Sequence, residues 1–384
     1  MNKLIATFNP GILTRCIAGA LASTALVLSP LVFAAEKPDS PEQQAMAKTG
    51  TKYKAKAEMQ AVLDALAAMH AKPIESLSVA EARKQPTPAD AVNAVLQKEG
   101  KSPDPESQFK GVTSKDSQIP GPAGSLPVRV YTPSHPASGK ALPVIVYFHG
   151  GGWVIADKAV YDGGARGLAK QADAIVVSID YRRAPEARFP AAWDDALAAY
   201  KWVAANAAAL NGDPNRLALA GESAGGNLAV ATAIAVRDDA KVQQPSGIIA
   251  VYPVAQTGNM HTASYVDSAT AKPLNKAMIG WFVDKLITSP ADKKDPRLDL
   301  VHADLKGLPP VTIINAQIDP LRSDGEMLAA ALEKAGVKVE RKVYSGVTHE
   351  FFGTAAVVGE ALDAQKYAGQ QLREWFAVER TARN

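Results

Sequence analysis

The sequence predicts an α/β protein with a mostly parallel central sheet, helices on both of its faces, and a helical segment ahead of the sheet. Two observations carry this. From residue 144 onward, short apolar runs alternate with helical patterns, the signature of strand–helix–strand units. The run Ala174–Asp180 (AIVVSID) is apolar without period-two alternation, as in a strand buried on both faces. The 384 residues suffice for one large core, or a core with a smaller appended layer.

Taken in order, residues 1–35 read as a secretory signal peptide outside the fold. Lys3 and Arg15 precede an apolar run from Ile17 to Phe33, with Val32 and Ala34 at the −3 and −1 cleavage positions. A membrane anchor is the rival, but the run is short for a span and is broken by Pro30. A lipid anchor on Cys16 is disfavoured because Thr14 and Arg15 precede it. Cys16 is the only cysteine, so cleavage leaves no disulfide and no thiolate chemistry. Without the leader, 40 Lys and Arg face 39 Asp and Glu. That balance gives no reason to expect nucleic acid or a metal buffer. The expected destination is the periplasm or the outside of the cell, with no stable membrane span after cleavage.

Residues 36–115 form the expected N-terminal helical cap segment. Met59, Val62, Leu63, Leu66 and Met69 recur at helical spacing and stop before Pro73. One or two shorter helices follow over 75–100, around Pro86 and Pro88. The core is expected over 116–384. Strands are predicted at 126–131, 144–148, 174–180, 216–221, 248–252, 311–316 and 338–344. Helices are predicted at 159–172, 190–208, 224–237, 322–335 and 356–377. Residues 256–300 break the rhythm and read as a cap insertion holding a helix near Lys276–Leu286, with Trp281 and Phe282 on it.

Three segments carry chemistry. Gly221-Glu-Ser-Ala-Gly225 fits a nucleophile elbow between a strand and a helix. Ser223 would be exposed on a tight turn whose neighbours lack bulk; the bland alternative is a serine capping the helix. His149-Gly-Gly-Gly-Trp153 follows the strand at 144–148 and offers backbone N–H groups to an oxyanion, with no side chain blocking the approach. A phosphate loop would need a Lys and a Ser or Thr that this segment lacks. A chance HGGGW is on the order of 10⁻⁵ to 10⁻⁴ for such a composition, which makes it the most specific signal in the chain. His149 itself reads as pinning the loop. A triad on such a frame runs Ser, acid, His along the chain. Only His261, His302 and His349 follow Ser223. His349, in the loop after the 338–344 strand, is the candidate base; the other two lie in or beside the insertion and read as surface residues. Asp319, after the 311–316 strand, is the candidate acid, with a helix cap as its bland role. Asp324 is the rival acid, expected to face along the helix that follows.

Together these residues resemble the bacterial hormone-sensitive-lipase family of esterases over roughly 55–375. The carriers are HGGGW, DYRRAPE (180–186) with Phe189-Pro190, GESAGGN (221–227), DPLRSDGE (319–326) and GVTHEFFG (346–353). The resemblance implies an α/β-hydrolase fold with a helical cap. It implies Ser223, Asp319 and His349 as catalytic residues, and Gly151, Gly152 and Ala224 as the oxyanion hole. It assigns Asp180, Tyr181, Arg182 and Pro185 to supporting the hole. It implies hydrolysis of short- to medium-chain carboxylic esters through an acyl-enzyme, with a small-molecule ester as the partner and no metal or cofactor. Glu222 departs from the commoner Asp or Thr, and Ser323-Asp324 from a common Asp-Glu; neither removes a catalytic group. An arylformamidase or amidase is the alternative enzyme. A non-catalytic ligand-binding protein on the same fold, or an adhesion module, is the alternative of another class. The oligomeric state is left open, a homodimer included.

Overall fold

The computed structural model describes residues 51–134 and 141–378; the expected leader lies outside them. Eight strands form one sheet in the order β1-β2-β4-β3-β5-β6-β7-β8. They are β1 (Val112–Gly121), β2 (Gly124–Pro133), β3 (Leu142–Phe148), β4 (Ile175–Ile179), β5 (Gly212–Glu222), β6 (Ile248–Val251), β7 (Val311–Ile318) and β8 (Val339–Thr348). β1 and β2 form an antiparallel hairpin and β2 pairs antiparallel with β4; every other pairing is parallel. The sequence does not announce β1. It starts at Val112, ahead of the expected core boundary at 116, and six consecutive exposed residues separate its first buried residue from Ile119. An edge strand exposed on both faces over that stretch carries no apolar period.

Before the sheet come α1 (Ala57–Ala68), α2 (Val79–Ala82), α3 (Pro88–Lys98) and α4 (Pro105–Gln108). Between and after the strands lie α5 (Asp162–Ala172), α6 (Ala191–Asn206), α7 (Ala224–Arg237), α8 (Ala263–Asp267), α9 (Lys276–Leu286), α10 (Arg322–Lys334) and α11 (Gly359–Ala377). Their ends follow local chemistry. α3 begins with Pro88 at its first turn and a reciprocal Thr87–Asp90 capping box. The side chain of Asn275 caps α9 by accepting the Met278 N–H.

The core has two faces, and β3 shows the division. Val144, Val146 and Phe148 join one apolar cluster with α6 and α7, whereas Ile145 and Tyr147 join the other with α5 and α11. All seven residues of β3 are buried, which is why its sequence does not alternate. Met59 and Val62 of α1, and Val92 and Val95 of α3, add to the second cluster. Within the described residues, no helix is long and apolar enough to cross a membrane.

In this parallel arrangement β3, β5, β6, β7 and β8 all end on one edge of the sheet. Phe148 pairs with Gly221, Glu222 with Val251, Val251 with Ile314, and Ile318 with Thr348. The loops that leave these strand ends therefore converge, as ligand-binding loops do in open parallel sheets.

Candidate active site

Ser223 sits between β5 and α7 with φ 57° and ψ −117°. This backbone conformation costs on the order of 1–3 kcal/mol for a residue with a side chain. Three hydrogen bonds hold it: the Ser223 N–H donates to Val251 O (2.8 Å), and the Ser223 carbonyl accepts from the N–H groups of Asn227 and Val254 (3.2 Å each). Gly225 permits the turn, because a Cβ there would run into the backbone carbonyls of Phe148 and His149. Asn227 then ties α7 down, accepting from Trp193 Nε1 (3.0 Å) and donating to Val254 O (3.1 Å).

His349 follows β8 and Asp319 follows β7, as their positions in the sequence suggest. Asp319 Oδ2 accepts from His349 Nδ1 at 2.7 Å, and Ser223 Oγ lies 2.9 Å from His349 Nε2. The carboxylate can only accept, so it fixes the proton on Nδ1 and leaves Nε2 free to accept the serine proton. Asp319 also takes up its other expected role: Oδ1 accepts the Leu321 N–H (2.8 Å) at the start of α10. The two roles are one device, since the amide aims the carboxylate at the imidazole. All three side chains are buried, Ser223 the most open at 5% exposure. Burial pulls the His349 imidazole down, but the charge and hydrogen bond of Asp319, with Glu350 and Glu222 beyond, more than offset it. Its pKa ends above the ordinary value.

The triple-glycine loop bends sharply, with φ 94° at Gly151 and 59° at Gly152. A Cβ on Gly152 would penetrate the ring of Phe282 from α9. Among the described residues, the N–H groups of Gly151 and Gly152 donate to no backbone acceptor, and Ala224 opens α7, where a first-turn N–H has no partner within the helix. Donors left open beside a buried hydroxyl are what a developing oxyanion requires. His149 pins the loop: its Nδ1 meets Gly150 O at 2.8 Å, and its ring stacks on Tyr181 with centroids 4.3 Å apart. Tyr181 OH donates to His149 O (2.9 Å), and Arg182 forms an ion pair with the buried Asp195 (2.7 Å).

His261 and His302 are exposed and lie outside this cluster. Asp324 does not face along its helix as expected. It is fully buried and reaches the loop after β6, where Oδ2 accepts the N–H groups of Ala255 (3.1 Å) and Gln256 (3.3 Å). Burial pushes its carboxyl up to about 7 despite those bonds. Among the described residues, no cluster of three or more metal-ligating side chains occurs.

Sequence reasoning missed two contributors. Arg83, beyond α2, donates to Val154 O and Ala184 O (2.9 Å each) and pairs with Glu186; nothing local in the sequence marks it. In the sequence Glu222 stands out only as a departure from the commoner Asp or Thr. Its carboxylate accepts the hydroxyls of Tyr147 and Tyr252, tyrosines that stand at or just past strand ends.

The fold and the site define an α/β hydrolase. A family profile described as an alpha/beta hydrolase fold matches residues 145–353. A carboxylesterase of Mycobacterium tuberculosis, NlhH, is 42% identical over 245 residues, 62% of this chain and 75% of the relative. Ethyl acetate hydrolase of Pseudomonas putida is 33% identical over 75% of this chain and 88% of its own length. Among solved structures, a thermostable esterase from Pseudomonas putida superposes with a TM-score of 0.74 at 32% identity, covering 85% of this chain and 99% of its own. An esterase of Pyrobaculum calidifontis gives 0.71 at 33% identity, covering 80% and 97%. The chain belongs to the hormone-sensitive-lipase-like esterases of the α/β-hydrolase family, and it is a carboxylic ester hydrolase.

Proposed function

We propose that this protein hydrolyses short- to medium-chain carboxylic esters through an acyl-enzyme on Ser223. His349 takes the Ser223 proton as the oxygen attacks the ester carbonyl. The N–H groups of Gly151, Gly152 and Ala224 receive the oxyanion. His349 then gives its proton to the departing alkoxide, and the alcohol leaves. Water, deprotonated by the same imidazole, cleaves the acyl-enzyme and restores Ser223. Asp319 keeps the imidazole in the working tautomer and offsets its positive charge. The observation that carries this reading is the pair of distances at His349, 2.9 Å to the serine oxygen and 2.7 Å to the carboxylate.

Two observations support a bounded acyl or alcohol group. A cavity of about 360 Å³ is lined by Leu63, Leu66, Ile74 and Met278 from the capping segments, by Ile155 three residues past the triple-glycine loop, and by Glu350 next to His349, near the lower end of ligand-pocket sizes. Relatives are named for ethyl acetate and for versiconal hemiacetal acetate, both small acyl esters. The test is hydrolysis of a p-nitrophenyl series from acetate to palmitate by wild type and Ser223→Ala. The wild type should favour the shorter esters, and the variant should lose on the order of 10⁶ in kcat. Equal turnover by the variant, or faster cleavage of palmitate than butyrate, would overturn the reading. We also propose export on the leader of residues 1–35; an intact leader on protein recovered from the periplasm or medium would contradict it.

A further inference from the structure

A second group of buried polar side chains lies behind the triad, and the steps above make no use of it. Glu222, the residue before the nucleophile, is 1% exposed. Oε1 accepts the hydroxyl of Tyr147 from β3, and Oε2 accepts that of Tyr252, just past β6. The Tyr252 ring lies 4.4 Å from the His349 imidazole, centroid to centroid. Glu350 follows His349 at φ 66°, and its Oε1 accepts Tyr161 OH at 3.0 Å. That same hydroxyl lies so close under Gly150 that a Cβ there would collide with it. Three tyrosines and two carboxylates thus underlie both the base and the oxyanion loop. An adjoining cavity of about 110 Å³, which shares Pro88, Val160 and Glu350 with the larger one and is bounded by Val92 of α3 and by Phe109, reaches Glu222 and Glu350, with room for water.

We propose that Glu222, with Glu350 beside it, is a positioning residue that sets the charge state of His349 and exchanges protons with solvent through this rear cavity. The proposal rests on His349 being the general base. When Ser223 gives up its proton, a positive charge appears on a buried imidazole. A carboxylate behind that ring stabilises it, in addition to Asp319 at Nδ1. The same carboxylate holds the resting imidazole protonated to higher pH.

The groups facing His349 come from several elements: Asp319 after β7, Glu222 and Ser223 at the elbow, Tyr252 after β6, and Glu350 in its own turn, which Tyr161 ahead of α5 hydrogen-bonds. Asp324 of α10 stands one step away, with Asp319 among the charges that raise its carboxyl. The neighbouring carboxylates oppose ionisation at the two glutamates: the charge of Glu350 raises Glu222, and that of Asp319 raises Glu350. Burial pushes Glu222 up to about 7, although its two tyrosine donors pull the other way, and burial also raises Glu350. Glu222 therefore changes charge in the range where a histidine base titrates.

The test is the pH dependence of p-nitrophenyl butyrate hydrolysis between about pH 5 and pH 9, for wild type, Glu222→Gln, Glu222→Asp and Glu350→Gln. The amide of Glu222→Gln can still accept from one tyrosine and donate to the other, so it removes charge with little change of shape. Its kcat/KM profile should have an acid limb moved down by roughly half a unit or more. Its plateau kcat should fall about tenfold, with KM within about twofold. Glu222→Asp should restore the limb toward wild type, and Glu350→Gln should move it in the same direction by less. Limbs of both glutamine variants that coincide with wild type, even at reduced rate, would mean a packing role and overturn the proposal. If Glu222→Gln does not fold, Glu350→Gln alone decides, since its limb either moves or does not. Full activity in Ser223→Ala would sink the triad itself, whereas an inactive Ser223→Ala with unmoved limbs sinks only this role for Glu222.

Discussion

The triple-glycine loop and the helices ahead of the sheet both border the active site, yet they are held in different ways. The glycine turn takes its shape from its own backbone, with positive φ at Gly151 and Gly152 and a bond from the Val154 N–H to Gly151 O (3.0 Å), while Tyr181 braces its start at His149. The N-terminal helices take their place from side chains and amides that reach far along the chain. Arg83 bonds Val154 O and Ala184 O; Glu58 accepts the Gly359 N–H (2.6 Å); Glu75 accepts from Asn275 (3.0 Å). Backbone geometry that only certain residues can adopt leaves a mark in the sequence. A tie between residues more than 70 apart leaves none.

If that contrast holds, damage to the loop should cost more than damage to its ties. Gly152→Ala adds a methyl at φ 59° against the Phe282 ring, so the loop or α9 must shift and one oxyanion donor is misaimed. We expect a loss of kcat of about 10²–10³-fold with KM little changed, the scale of losing one such donor. A loss under about threefold would show that the Gly152 amide does not face the oxyanion. Arg83→Ala leaves the loop its own backbone bonds but frees Val154 O and Ala184 O. A fall in kcat of roughly tenfold is expected, with a modest drop in Tm; no change in kcat would mean that the clamp serves only the helices.

The third prediction concerns stability and contrasts Asp319 with Asp324, five positions apart and both fully buried. Asp324 holds backbone, not the base. Its folded pKa, raised to about 7, lies above that of an unfolded aspartate. As pH rises from the ordinary carboxylate range to about 7, the unfolded chain releases this proton while the folded chain retains it. Folding therefore loses stability across that window, and the penalty is constant above it. Asp324→Asn removes the titration. The stability of the variant relative to wild type should rise between about pH 4 and pH 8, by up to ~4 kcal/mol, while ester hydrolysis stays within about threefold. A flat difference would contradict the buried carboxyl, and loss of hydrolysis would revive Asp324 as the acid.

The same contrast explains what could be read beforehand. GESAG and HGGGW, with the chain order of serine, acid and base, were legible because strained turns and aimed amides tolerate few residue types. α7 was legible to the residue, over 224–237, because the nucleophile elbow sets its start, and α9 was legible as a helix near 276–286. β1 was not, since an edge strand with six consecutive exposed residues has no apolar alternation. Asp324 was misplaced because its partners, Ala255 and Gln256, belong to another loop. Glu222 stands out as unusual, but its significance depends on Tyr147 on β3 and Tyr252 just past β6.

The central claim is that Ser223 carries the acyl group. The most direct measurement is a rapid-quench reaction with p-nitrophenyl acetate, combining the p-nitrophenol burst with mass analysis of the peptide containing residue 223. The account predicts a burst approaching one equivalent per chain when deacylation is the slower step, an added acetyl on Ser223, and neither in Ser223→Ala. Turnover by wild type with the acetyl on another residue, or an undiminished burst in Ser223→Ala, would contradict it.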